Sequence, residues 1–353
     1  MSGSRSARSL VVVAVALSVA GSTVAPLAAQ PRRIPRVAAP ATVKMGWTVG
    51  SMSVAGVYIA IDKGYFREAN ITTELVPVGA MGELVGPLST GQLDLGTGGP
   101  SVGLFNAVSR GVNLKILADQ NTAFPGRSFF ALMVRKDLFD SGEIKSFADF
   151  KGRKLGMSTR RTTLELDLQK GLKTAGLDLA DVNIVTMGWP QVNAAFAGKA
   201  LDIGFQIEPL VTVAVNQKLA VRWKGLDEIT PNRQNSFLVA SEHFVAKQDL
   251  ARAWMAAYVR GLRDYNDAIV KNKDREAIIQ ILQKHSSVKD RATYDRMTMP
   301  GIHPDGEVNV ASIREALDAF KATGEVKPDV DLDRMVDLSF VKYAQEVLGR
   351  YER

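Results

Sequence analysis

The chain of 353 residues contains no cysteine at all. That excludes disulfide staples, thiolate nucleophiles and cysteine-based metal centres. Histidine is nearly as scarce: His243, His285 and His303 are scattered, without ligand spacing, so no metal site is expected. After the first thirty residues no apolar run approaches the length of a membrane span. Lysine and arginine outnumber the acids, 44 to 37, but they are dispersed among them. No basic stripe and no aromatic RNA-binding pattern appears, which argues against nucleic acid as a partner. Nor is there a G-x-S-x-G elbow, an H-E-x-x-H pair or a phosphate-binding Walker loop. No catalytic residue and no cofactor is therefore expected.

What is present begins with a leader. Arg5 and Arg8 precede an apolar run over Leu10–Ala20, and "STVAPLAAQ" offers small residues for cleavage after Ala29. This reads as a Sec-type signal peptide over 1–29, placing the mature chain in the periplasm. The Pro-spaced stretch "PRRIPRVAAP" reads as an exposed linker, assigned to 30–42.

The mature chain then repeats itself. "TGQLDLGTGGP" at Thr90–Pro100 is echoed by "AGKALDIGFQIEP" at Ala197–Pro209. Short β-rich runs alternate with helical spacings before each phrase, in the same order, and Met81-Gly82 is matched by Met187-Gly188. Such alternation implies doubly wound βαβαβ sheets of parallel strands, here twice over. Two continuous apolar runs, "SFFALMVRKDLF" and "NSFLVASEHFV", read as the crossings between the two halves. From Gln248 the periodicity is helical. The predicted organisation is a first lobe over 43–131, a second over 132–238, and a return to the first lobe with C-terminal helices over 239–353.

With these elements in place the chain resembles the solute-binding proteins of ABC importers, in their nitrate, sulfonate, taurine and thiamine-pyrimidine-precursor class. "YIAIDKGYFREANI", "STGQLDLG", "FADFKGRKLGM", "GKALDIGFQIEP" and "WMAAYVRGL" follow that family's order across essentially the whole mature chain. Asn70 departs from it, standing where the family usually has glycine; a left-handed cap position tolerates asparagine. The resemblance implies an α/β, two-lobed, type II "Venus-flytrap" periplasmic binding protein with a helical tail. It further implies a monomer that hands a small solute to permease and ATPase subunits. The other class on this scaffold, a pyrimidine-synthase-like enzyme, relies on a Cys-rich motif that is missing here.

Ligands of open α/β sheets sit beyond the carboxyl ends of strands. On the first lobe that rule selects Thr48, Ser51 and Met52, the bare backbone of Gly98 and Gly99, and the amides of Gln120 and Asn121. On the second it selects Ser158, Thr159, Arg160 and Arg161 at a helix start, then Trp189 and Glu208. Two arginines in a hydroxyl-rich loop suit an anion, and Trp189 with Phe124 suits an organic body. A sulfonate or aromatic carboxylate is thus the expected solute. Glu208 pulls the other way, toward a nitrogenous solute such as a thiamine-pyrimidine precursor. Asp94 and Asp202 read as turn-forming carboxylates outside the site.

Overall fold

The computed structural model describes residues 33–48, 51–78, 81–286 and 288–352. The expected leader lies outside them. Among the described residues no helix is long and apolar enough to cross a membrane.

Among the described residues ten strands form two five-stranded sheets. The first contains β1 (Ala41–Thr48), β2 (Ile71–Val78), β3 (Leu95–Gly98), β4 (Leu114–Thr122) and β10 (Gln234–Ser241), in the order β2-β1-β3-β10-β4. The second contains β5 (Phe130–Arg135), β6 (Lys154–Met157), β7 (Asn183–Thr186), β8 (Ile203–Ile207) and β9 (Ala220–Gly225), in the order β7-β6-β8-β5-β9. The two orders correspond strand for strand, so the repeat heard in the sequence is a repeat of fold. The sheets are mixed rather than purely parallel. β10 runs antiparallel to β3 and β4, and β5 runs antiparallel to β8 and β9.

Those two antiparallel strands are the apolar runs read as crossings. All eight residues of β10 are buried, because the strand has a neighbour on each edge and helices on both faces. The expected boundary at 238 therefore moves: residues 234–238 pair within the first sheet, and the chain recrosses over 226–233. The outward crossing occupies 123–129. The two crossings are hydrogen-bonded to each other, Ala123 N–H to the Arg233 carbonyl and Asn232 N–H to the Ala123 carbonyl, both at 2.8 Å. Arg233 also forms a buried ion pair with Asp167 at 2.9 Å.

The stretch expected to be an exposed linker is partly core. Ile34 is buried, Val37 N–H donates to the Ala69 carbonyl, and residues 41 and 42 already belong to β1. Asn70 adopts the left-handed conformation its position requires, with φ 63°. The long helix Gln248–Val270 covers the first sheet with its apolar face, burying Trp254, Tyr258 and Tyr265 completely. Each such side chain contributes about 2–3 kcal/mol of burial. It crosses the helix Ala55–Asp62 closely enough that a Cβ on Gly261 would lie 2.2 Å from the Gly56 carbonyl oxygen.

Candidate functional site

The carboxyl ends of β3 and β6 face each other across the junction of the lobes. There Ser101 bridges Thr162, and Val102 N–H donates to the Arg161 carbonyl at 3.1 Å. Beside this contact lies a cavity of about 430 Å³ lined from both lobes. Thr97, Gly98 and Gly99 enter it from the end of β3, and Leu84 and Leu88 form an apolar wall. Ser158, Thr159, Arg160 and Arg161 enter from the loop after β6. Trp189 closes the side at the first turn of the helix Trp189–Ala197, its ring 5.9 Å from that of Phe130, which also lines the cavity.

Seven expected residues thus come together: Gly98, Gly99, Ser158, Thr159, Arg160, Arg161 and Trp189. The two arginines do so with their charge already answered. The Arg160 guanidinium is held by the Glu165 carboxylate, and Arg161 Nε lies 3.0 Å from Glu325. Partial burial works to raise the Glu165 carboxyl, yet Arg160 and the Arg161 N–H hold it below its ordinary range. An anion held by either arginine would share its guanidinium with a carboxylate already in place. Arg110 also lines the cavity, is exposed, and has no carboxylate partner among the described residues.

Six expected residues are elsewhere. The Thr48 carbonyl accepts from Ser51 N–H. Ser51 and Ser53 are buried and share a 2.9 Å hydroxyl contact, and Met52 is core. Asn121 is fully buried and donates from Nδ2 to the Gly301 carbonyl. Gln120 is buried too, though not at the cavity wall. Glu208 is turned away: its carboxylate accepts from the N–H and hydroxyl of Thr212 and from Thr298 N–H, at 3.0–3.1 Å. Burial raises its pKa against those donors. It ties the end of β8 to the C-terminal region, and Phe124, expected as a cover, packs against Gly301 instead.

The sequence reading missed Thr97, Arg110, Phe130 and Asn235 as wall residues. A further pattern runs along the end of the first sheet, and of its members the sequence reading named only Gln120 as a binding residue. Among the described residues, Trp47 Nε1, Thr97 Oγ1, both amide atoms of Gln120, Asn235 Oδ1 and Ser236 Oγ are buried without a hydrogen-bond partner. These residues sit at the carboxyl ends of β1, β3 and β4 and at the adjoining start of β10, one edge of the first sheet. Buried polar groups are nearly always paired, with protein or with ordered water, so each of these atoms can still take a bond.

The NMT1/THI5 like family matches residues 51–268 of the chain. A binding protein of Brucella abortus is 25% identical over 302 residues, 82% of this chain and 88% of that one. Among solved structures, the alkanesulfonate-binding protein SsuA of Xanthomonas axonopodis pv. citri, bound to MOPS, superposes with a TM-score of 0.67. It is 16% identical, over 86% of this chain and all of that one. The periplasmic nitrate-binding protein NrtA of Synechocystis PCC 6803 gives a TM-score of 0.67 at 15% identity, over 87% of this chain and 89% of that one. These likenesses bear on fold.

Proposed function

The chain belongs to the NMT1/THI5 like family, and on that footing we propose that it is the solute-binding component of an ABC importer. It captures a small organic solute between its lobes in the periplasm and presents it to permease and ATPase subunits. The observation that carries this reading is the cavity lined from both lobes. A solute touching both walls stabilises the closed arrangement over the open one, and that difference drives the hinge. Binding rather than catalysis fits the lining, which is made of apolar, hydroxyl, amide and arginine side chains, with no carboxylate, imidazole or thiol.

Leu84, Leu88, Phe130 and Trp189 favour an organic body over a bare inorganic ion. A sulfonate or aromatic carboxylate remains the favoured class, with one change of partner. Arg110 takes the role first given to Arg160 and Arg161. The test is a thermal-unfolding screen against alkane- and arenesulfonates, aromatic carboxylates, nitrate and pyrimidines. A solute at a hundred times its dissociation constant stabilises the protein by about 2.7 kcal/mol, easily read as a melting shift. No shift with any of them removes the support for this role.

A further inference from the structure

We infer that Asn235 selects the solute, and that the solute it selects carries an N–H or O–H donor. This rests on the solute-binding reading of the cleft and goes beyond it by naming a chemical group the solute must have.

The argument runs through two amides and a carbonyl. An amide's two ends look alike by shape, so its partners decide which way it faces. The Gly301 carbonyl can only accept, and it accepts from Asn121 Nδ2 at 3.0 Å. Asn121 must therefore show its oxygen to the next residue. That residue is Asn235, whose Nδ2 donates to Asn121 Oδ1 at 3.2 Å. Reversing either amide would set oxygen against oxygen or nitrogen against nitrogen. The orientation of Asn235 is thus fixed from Gly301 outward, and the atom left over is Oδ1, an acceptor.

Asn235 lines the cavity and is 7% exposed; its Oδ1, closed over with the lobes in this arrangement, has no partner among the described residues. A buried acceptor with nothing to accept is costly, and a solute donor removes that cost. A solute that offers only acceptors at this point, such as nitrate or an unsubstituted sulfonate, leaves Oδ1 unmet and adds oxygen–oxygen repulsion. Thr97 also lines the cavity, and its buried hydroxyl, able to donate or accept, has no partner among the described residues. Sites built to hydrogen-bond a substrate group reject the analogue lacking it far more strongly than apolar pockets reject a missing methylene. Asn235 is the residue placed to impose that asymmetry.

The experiment uses matched probes on the full mature protein. The ortho-, meta- and para-hydroxybenzoates are compared with their methoxy ethers, and para-aminobenzenesulfonate with its N,N-dimethyl derivative, beside benzoate, benzenesulfonate and nitrate. Affinities are measured by calorimetry for wild type, Asn235→Leu and Asn235→Ser, with circular dichroism to establish that each variant is folded. Two variants of different size guard against a packing failure in one. The expected result is a preference of about tenfold or more for a donor-bearing probe over its alkylated partner in wild type, falling to near unity in both variants. If nitrate or benzenesulfonate binds best, with an affinity that neither variant changes, the donor requirement is wrong while the solute-binding role stands. If no probe binds the wild type, both are overturned.

Discussion

Asp94 and Asp202 make the same pair of bonds in the two sheets. Asp94 Oδ2 accepts from Lys44 N–H at 2.9 Å while its own N–H donates to the Lys44 carbonyl. Asp202 Oδ2 accepts from Lys154 N–H at 3.0 Å and returns its N–H to the Lys154 carbonyl. Each aspartate thereby fixes the register of a parallel strand pair at the residue just before β3 or β8 begins. The phrase repeated in the sequence is a structural clamp; after the first copy Gly98 and Gly99 line the cavity, whereas the strand end after the second copy does not.

The clamps differ in one respect that can be measured. Asp202 also pairs with Arg135 at 2.9 Å, whereas the cation beside Asp94 is Lys247, 3.8 Å away and largely exposed. Asp202→Ala should destabilise by about 2–3 kcal/mol and Asp94→Ala by about 1–2, read from urea unfolding. Equal losses would show that Arg135 adds nothing.

The loop arginines should matter little to affinity. Arg161 is 65% exposed and Arg160 45%, and each is already paired. Surface pairs of this kind contribute about 0–1 kcal/mol, so Arg160→Ala and Arg161→Ala should each change the affinity of a bound solute by no more than about fivefold. Arg110→Ala should cost an acidic solute more than either. A large loss at Arg160 alone would restore the loop clamp.

Glu208→Gln tests the latch. Glutamine offers one acceptor oxygen where three donors now converge, so about 1–3 kcal/mol of stability should be lost. The order of preference among solutes should not change, because Glu208 does not line the cavity. A reordered preference would return Glu208 to the binding site.

Stability should depend on Asp119. Burial pushes its carboxyl up to about 7, despite donors from His303 N–H, Gln234 Nε2 and the Thr122 hydroxyl. Between its unfolded pKa near 4 and that raised value the native state holds a proton that the unfolded chain releases. Its contribution is therefore favourable at the acid end and declines as pH rises from about 4 to about 7. The urea midpoint of wild type should fall over that window relative to Asp119→Asn, which cannot titrate. Parallel profiles for the two proteins would refute this.

Gly261 should resist even a methyl group. Its nearest obstacle is the Gly56 carbonyl, part of a backbone that cannot step aside, whereas at Gly98 the obstacle is a Val239 methyl at 2.3 Å. Overpacking costs about 1–3 kcal/mol, and Gly261→Ala should lie at the upper end, with Gly98→Ala milder, by thermal unfolding. The reverse ranking would mean that the two helices can part.

The order of elements was legible because period and turn residues announce it. The lobe to which β10 belongs was not. A continuous apolar run says that a strand is covered on both faces, and β5 and β10 satisfy that equally in different sheets. At the site, the rule of strand ends found Gly98, Gly99, the 158–161 loop and Trp189. It also admitted Glu208, whose three donors decide its direction and include Thr298, remote in the chain. The pairing of Arg161 was hidden for the same reason, since Glu325 lies in the distant C-terminal region. Asn235 gave no signal, because nothing local shows that Asn121 and Gly301 fix its amide.

The place of β10 between β3 and β4 sets an order of assembly as the chain is made. Every strand of the second sheet lies within residues 130–225 and is present once that stretch has emerged. The first sheet has four of its strands earlier still, yet β3 and β4 have no bonding neighbour between them until residues 234–241 arrive. The later-encoded lobe can close first, while the earlier one waits with two open edges. An exposed edge is a template for the wrong partner, so any factor that shields the nascent chain has most to protect in its first half.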